Sequence, residues 1–335
     1  MIKELIKQLL NKKDLTPLQM QQIMREILSG AVDTADIIVF LTSLNDKGET
    51  VAELTAAVNV MLEYVEPIIV DKLNILDTCG TGGDKKGTFN ISTITALVAS
   101  GAGVTVAKHG NRSVSSKCGS ADILEALGVK INMDTEKIKK CLYQIGIAFL
   151  FAPNLHLAMR QVMPARKQIA QKTIFNILGP LINPARATNQ LIGVYSKAWV
   201  RPLAEVLHNL GSRHILVVHG ADGLDEVTTT DKTFITEVKD GLLKDYEIIP
   251  EDFGFKRANL NDLSGGSVDD NVRIAQDILM GKPGSRRDII LFNAGCAIYA
   301  ADKTDTIAEG IKLAQESIDS KAALEKLKRL KEYSQ

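Results

Sequence analysis

Four stretches of this chain have the residue types and spacing for anion and metal chemistry. The first, Thr78-Cys79-Gly80-Thr81-Gly82-Gly83-Asp84, follows a short apolar run, Leu73-Asn74-Ile75-Leu76-Asp77. Its glycines let backbone N–H groups approach an anion closely, as in a phosphate cradle; the same residues also describe a tight glycine-rich turn. The loop is neither a dinucleotide fingerprint nor a Walker A loop, because Thr88 stands where the lysine after Gly82 and Gly87 is needed. The second stretch, Asn90-Ile91-Ser92-Thr93, precedes an apolar helical run. It reads as an N-cap at Asn90 and nothing more, or as a helix end offering amides and hydroxyls to a phosphate or a metal.

The third stretch, residues 108–120, is the sharpest. It carries Lys108, His109, Arg112 and Lys117 with Ser113, Ser115, Ser116 and Ser120, glycines at 110 and 119, and no acid. Several cations and hydroxyls on one short loop suit several phosphate oxygens at once; a solvated basic loop is the bland alternative. Ser120 is also placed to cap a helix over 121–127. The fourth stretch, Asp222-Gly223-Leu224-Asp225-Glu226, supplies adjacent carboxylates after an apolar strand pattern. Facing an anion loop they suit Mg²⁺ bridged to a phosphate; in isolation they make an acidic turn. Arg166 lies in helical sequence and is either a surface residue or a fork for a carboxylate. His156, His208 and His214 have no metal-ligand spacing and read as structural, and no Ser-His-Asp arrangement has supporting motifs.

These stretches need elements to hold them. Residues 1 to about 66 read as all-helical: Thr16-Pro17-Leu18-Gln19 and Thr50-Val51-Ala52-Glu53 are capping boxes, Asp33 or Thr34 caps a helix over 35–45, and Gly48 fits its stop. Residues 66–71, around Pro67, form a hinge. From Leu73 onward strand patterns at 73–77, 104–107, 147–151, 190–195 and 215–219 alternate with helices at 92–101, 121–127, 135–144 and 199–210. That alternation predicts an α/β class domain with a mostly parallel central sheet flanked by helices. Residues 154–178 read as one long helical stretch crossing back to the N-terminal helices, and Lys239-Asp240-Gly241 as the turn of a hairpin. The tail reads as helices over 267–280, 288–301 and 304–331. The division is therefore a small helical domain, 1–70, joined by helices from about 154–180, and a large domain, 71–335.

Composition limits the partners. Lys plus Arg and Asp plus Glu are both 40, so net charge is zero and nucleic acid is not favoured. The four cysteines are scattered, which predicts a reducing compartment and no structural zinc. The first residues lack a signal-peptide pattern and no apolar run reaches membrane-spanning length, so the expectation is a cytoplasmic protein without membrane contact.

In their order along the chain, Gly80-Thr81-Gly82-Gly83-Asp84, Thr88-Phe89-Asn90-Ile91-Ser92-Thr93, Lys108-His109-Gly110-Asn111-Arg112, Ser115 to Asp122, Thr173 to Leu181 and Asp222 to Glu226 resemble the anthranilate phosphoribosyltransferase family. The resemblance implies transfer of a phosphoribosyl group from 5-phosphoribosyl 1-pyrophosphate to the amino group of anthranilate, in tryptophan biosynthesis, by a homodimer joined through its helical domain. It places the ribosyl donor on Gly80, Gly83, Asp84, Thr88, Asn90, Ile91, Ser92, Thr93, Lys108, His109, Gly110, Asn111, Arg112, Ser113, Val114, Ser115, Ser116 and Ser120. Anthranilate falls to Gly80, His109, Asn111 and Arg166, and Mg²⁺ to Ser92, Asp225 and Glu226. No catalytic base is implied; Lys108 and the two acids with Mg²⁺ stabilise the leaving group. A pyrimidine nucleoside phosphorylase of similar fold, or a non-catalytic nucleic-acid-binding relative, are the alternatives.

Overall fold

The computed structural model describes residues 2–71, 74–113 and 117–335. Four helices open the chain: α1 (Ile2–Leu10), α2 (Pro17–Leu28), α3 (Thr34–Lys47) and α4 (Val51–Glu63). Both capping boxes form, Thr16 with Gln19 and Thr50 with Glu53. Asp33 holds the N-cap position of α3 without a side-chain cap, and Gly48, at φ 91°, ends that helix. Helix α2 packs on α4 and α1 on α3, and Met20, Ile23, Met24 and Ile27 of α2, Phe40 and Leu41 of α3 and Leu54 of α4 are all fully buried. Each such side chain contributes about 1.5–3 kcal/mol of burial, which holds the helices together without a sheet.

The described residues of the rest form a seven-stranded sheet in the order β3-β2-β1-β4-β5-β6-β7. Strands β1 (Ile75–Asp77), β2 (Thr105–Gly110), β3 (Ile147–Phe151), β4 (Asn189–Gly193) and β5 (His214–Gly220) are parallel. Strands β6 (Thr233–Lys239) and β7 (Leu242–Ile248) close the far edge as the expected hairpin. Its turn, Asp240–Gly241, has φ of 51° and 77°, as an Asp-Gly hairpin turn requires. The helices α5 (Ile91–Gly101), α6 (Ser120–Ala126), α7 (Thr135–Ile145), α8 (Ala152–Leu155), α9 (Met163–Gln168) and α10 (Val200–Asn209) lie between strands; α11 (Val268–Leu279), α12 (Ser285–Ala300), α13 (Ile307–Asp319) and α14 (Ala322–Ser334) follow the hairpin. From β1 the order runs through β2 to β3 on one side, and from β4 to β5 on the other. The crevice beyond the carboxyl ends of β1 and β4 is thus the switch point where open α/β sheets bind ligands.

Several expectations need correction. Strand β2 does not stop at Ala107; Lys108, His109 and Gly110 pair with Phe149, Leu150 and Phe151 of β3, so these three are strand residues rather than loop. Strand β1 begins at Ile75, with Asn74 outside it donating to the Ala301 carbonyl, and Leu73 lies outside the described residues. The stretch 154–178 is not one helix: α9 is flanked by 3-10 turns at Leu157–Gln161 and Ile174–Asn176. Pro164 lacks the N–H that a continuous helix requires, and Ile169 turns extended. The stretch still crosses back as expected, its first 3-10 turn packing on α2 and α9 on α3. The span 304–331 splits at Lys321, which adopts a left-handed φ of 68°. Helix α5 is enclosed by α12, α13 and α14. There Ser317 Oγ donates to the Val98 carbonyl at 2.8 Å, and a side chain at Gly101 would strike the Ala323 backbone.

Candidate active site

The glycine loop leaves β1 and is fixed from beneath. Thr81 N–H donates to the Gly193 carbonyl at 2.9 Å, and Tyr195 N–H donates to Thr81 Oγ1 at 3.1 Å. Gly82, Gly83 and Gly87 have φ of 63°, 79° and 68°, conformations that a side chain would strain. Close approach also matters at the end of β4, where a Cβ on Gly193 would lie 1.5 Å from the Asp225 carbonyl. Thr88 bridges to Ser264, and Gly265 N–H donates to the Gly87 carbonyl, so the loop's exit rests on residues 264–265.

Beyond the loop, the first turn of α5 is pinned from three sides. Thr78 Oγ1 donates to the Ser92 carbonyl, Lys108 Nζ donates to the Thr78 carbonyl at 2.8 Å and to Ser92 Oγ at 3.3 Å, and Ser92 N–H donates to Glu226 Oε1 at 3.2 Å. Lys108 is 3% exposed and has no ion pair among the described residues. Its hydrogen bonds go to neutral oxygens, while Glu226 and Asp77 lie close enough to feel its charge. Asn90 does not cap α5 as expected: its amide donates to the Cys118 carbonyl, tying the glycine loop's helix to the basic loop, and its Oδ1 is buried without a partner. Ile91 and Thr93 are buried, so Ile91 meets a ligand only through backbone.

The basic loop is shaped by α6. Gly119, not Ser120, is the N-cap; Asp122 accepts N–H groups from Gly119 and Ser113, while Ser120 Oγ donates to the Asn111 carbonyl. A side chain at Gly110 or Gly119 would strike Ser120 Oγ or the Ser113 backbone. Arg112 forms ion pairs with Asp122 at 2.8 Å and Glu125 at 2.9 Å, so the acids missing from the loop come from the next helix. Val114, Ser115 and Ser116 lie outside the described residues.

His109 is held deep in the fold. Its Nδ1 faces the Gly179 carbonyl at 3.2 Å, so Nδ1 carries the proton; Nε2 then accepts from Nε2–H of His156 at 3.1 Å. Burial first, then His156, push its pKa down to about 3, so the ring stays neutral with its lone pair engaged. Arg166 stands half-buried, its guanidinium 5.8 Å from the Phe175 ring centre. It makes no ion pair among the described residues, and burial lowers its pKa.

Three acids converge opposite the cations. Burial, then the charge of Asp84, push Asp225 above the usual carboxylate range; burial, then Asp225, push Glu226 well above it. Asp84 Oδ2 is buried and unpartnered. Asp222, by contrast, is consumed locally by the Leu224 N–H and the Thr228 and Thr230 hydroxyls. Mutually repelling carboxylates with an orphaned oxygen fit a divalent cation. Among the described residues the group whose ligand atoms all lie within 4.8 Å is a different one, Asp77, Cys79 and His109. It is already satisfied, since Asp77 accepts from His109 N–H and from Asn183. The wider spacing of Asp84, Asp225 and Glu226 suits Mg²⁺, which retains waters and substrate oxygens in its shell.

Sequence reasoning missed Gly193, Asn183, Tyr195 and Lys172. The last donates to the Gly83 carbonyl across 89 residues of chain, a contact with no local signal.

A mostly parallel sheet, a switch-point crevice and a cradle of glycines, cations and acids define a class of group-transfer enzyme, and known proteins share it. Residues 72–324 match the glycosyl transferase family, a/b domain, and residues 3–65 its helical bundle domain. Relatives named anthranilate phosphoribosyltransferase include one from Symbiobacterium thermophilum, 47% identical over 99% of this chain and 98% of the relative, and one from Persephonella marina, 51% identical over 100% and 99%. The crystal structure of the Thermus thermophilus anthranilate phosphoribosyltransferase superposes with a TM-score of 0.93 at 40% identity, covering 98% of each chain. The Saccharomyces cerevisiae enzyme in complex with PRPP and Mg gives 0.90 at 28% identity, over 99% of this chain and 97% of that one. The chain belongs to the anthranilate phosphoribosyltransferase family.

Proposed function

We propose that this protein transfers the phosphoribosyl group of 5-phosphoribosyl 1-pyrophosphate to the amino nitrogen of anthranilate, giving N-(5-phosphoribosyl)anthranilate and pyrophosphate for tryptophan biosynthesis. The observation that carries the reading is the meeting, at the β1–β4 switch point, of the glycine loop, the pinned first turn of α5, a buried Lys108 and acids that make no ion pair among the described residues. Relatives of this name, and a relative solved with PRPP and Mg, support it.

The C1–O bond to pyrophosphate breaks as the C1–N bond forms, and the amine proton leaves to solvent. Lys108 and the loop amides meet the charge that builds on the departing oxygens. The residues assigned to the donor above bind it, with Ser92, Asp225 and Glu226 for Mg²⁺, which would supply charge neutralisation at the diphosphate. An aromatic amine is unprotonated at neutral pH, so no strong base is required, in keeping with the engaged lone pair of His109. Anthranilate is assigned to Gly80, His109, Asn111 and Arg166; the unpaired guanidinium is the feature that suits its carboxylate.

We also assign residues 1–70 with 154–180 to a small domain and 71–335 to a large one, on the packing of the crossing segment against α2 and α3. Exposed Leu10, Leu18 and Val39 on the helical domain suit a homodimer contact there, and a cytoplasmic location suits a protein with no described helix long and apolar enough to cross a membrane. The test is the fall of anthranilate fluorescence on adding 5-phosphoribosyl 1-pyrophosphate with Mg²⁺. No decay, together with phosphorolysis of thymidine or uridine, overturns the reading.

A further inference from the structure

Lys172 lies on the segment that crosses between the helical bundle and the sheet, six positions after Arg166. Its ammonium donates to the Gly83 carbonyl at 3.1 Å and sits 3.0 Å from the centre of the Tyr195 ring. No carboxylate is ion-paired with it among the described residues; burial, then Lys85, lower its pKa, with the nearby Asp225 and Asp84 opposing them. Tyr195 in turn donates its N–H to Thr81 on the same loop. The loop is thus gripped at Thr81 from below and at Gly83 from the side. Gly83, at φ 79°, has a peptide orientation that few side chains would enforce, so an outside donor is what fixes its carbonyl and the amide that follows.

We propose that Lys172 is a positioning residue for pyrophosphate recognition: it locks the Gly83 peptide so that the loop amides are presented to the diphosphate, and it links that loop to the segment carrying Arg166. The proposal rests on the transferase reading and deepens it, since the crossing segment then contributes to both substrate sites.

Lys172→Met keeps the apolar stem on Tyr195 and removes the donor. The KM for 5-phosphoribosyl 1-pyrophosphate should rise about tenfold or more, the order for losing a charge-assisted hydrogen bond, while kcat and the KM for anthranilate stay within about threefold. Lys172→Arg, which can still donate and stack, should recover most of the loss. A donor KM within about twofold of wild type in Lys172→Met, or equal losses in both KM values unrescued by arginine, overturns the proposal. If Lys172→Met does not fold, Tyr195→Leu reads the same grip, and an unchanged donor KM there is equally fatal. A wild type inactive with this substrate pair strikes at the transferase reading instead. Binding of inorganic pyrophosphate by calorimetry, about tenfold weaker in Lys172→Met, then decides the role of Lys172.

Discussion

The two ends of the sheet both gather acids, and they treat them in opposite ways. At the amino end, His214 is fully buried between Glu237, 2.9 Å from Nε2, and Asp302, 2.7 Å from Nδ1. Both ring nitrogens face carboxylate oxygens, so the ring bridges the two acids. Tyr299 OH completes Glu237, and Asn189 with Arg213 completes Asp302. Burial raises the Glu237 pKa, but these hydrogen bonds outweigh it and hold the carboxyl below its ordinary value. At the carboxyl end, Asp84, Asp225 and Glu226 accept only scattered backbone N–H groups and make no ion pair among the described residues, and two of them are pushed upward. Acids that arrive with their own cation hold a fold together; acids left without one await a ligand.

The largest test of that contrast is at the amino end. His214→Ala strands two carboxylates and should cost about 3–5 kcal/mol of stability in urea unfolding; a loss below about 1 kcal/mol would remove the distinction between the two ends. At the carboxyl end, Asp225→Asn with Glu226→Gln should lower turnover by roughly 10²-fold and flatten the Mg²⁺ titration, without destabilising the fold. An unchanged titration removes both acids from the metal site. Arg166→Ala should raise the KM for anthranilate about tenfold and leave that for the ribosyl donor near wild type, checked by steady-state kinetics.

The smallest effect is on pH dependence. Asp225 and Glu226 have folded pKa values raised above the unfolded ones, so the folded state binds more protons and loses stability as pH rises above the ordinary carboxylate range. Metal-free protein should therefore lose more stability between about pH 5 and about pH 8 than the Asp225→Asn, Glu226→Gln variant does. Saturating Mg²⁺ should reduce that loss. Parallel pH profiles for the two proteins would contradict the assignment.

Much of this was legible in the sequence where the cause is local. Capping at Thr16 and Thr50, the turn at Asp240–Gly241, and the glycine loop each follow from residues within a few positions of one another. What was not legible depends on distant partners. Asn90 has the chemistry of a helix cap, yet its amide goes to Cys118 because the basic loop folds over it. Lys108, His109 and Gly110 looked like loop because their composition is polar, but β3 is long enough to pair with them. The break at Lys321 carries neither glycine nor proline, so helical periodicity ran through it. The apposition of Lys172 to Gly83, and of Asp84 to Asp225, spans so much chain that no spacing rule reaches it.

The enclosure of α5 by α12, α13 and α14 carries a consequence for biosynthesis. The helix whose first turn receives the substrate cannot bury its far end until residues 317–323 have been made, more than two hundred positions later. On the ribosome, at about 5–20 residues per second, the nascent sheet must wait roughly ten seconds or longer with that apolar helix uncovered. Chaperone dependence should therefore be greatest just before the final helices emerge, and it should fall once they close over α5.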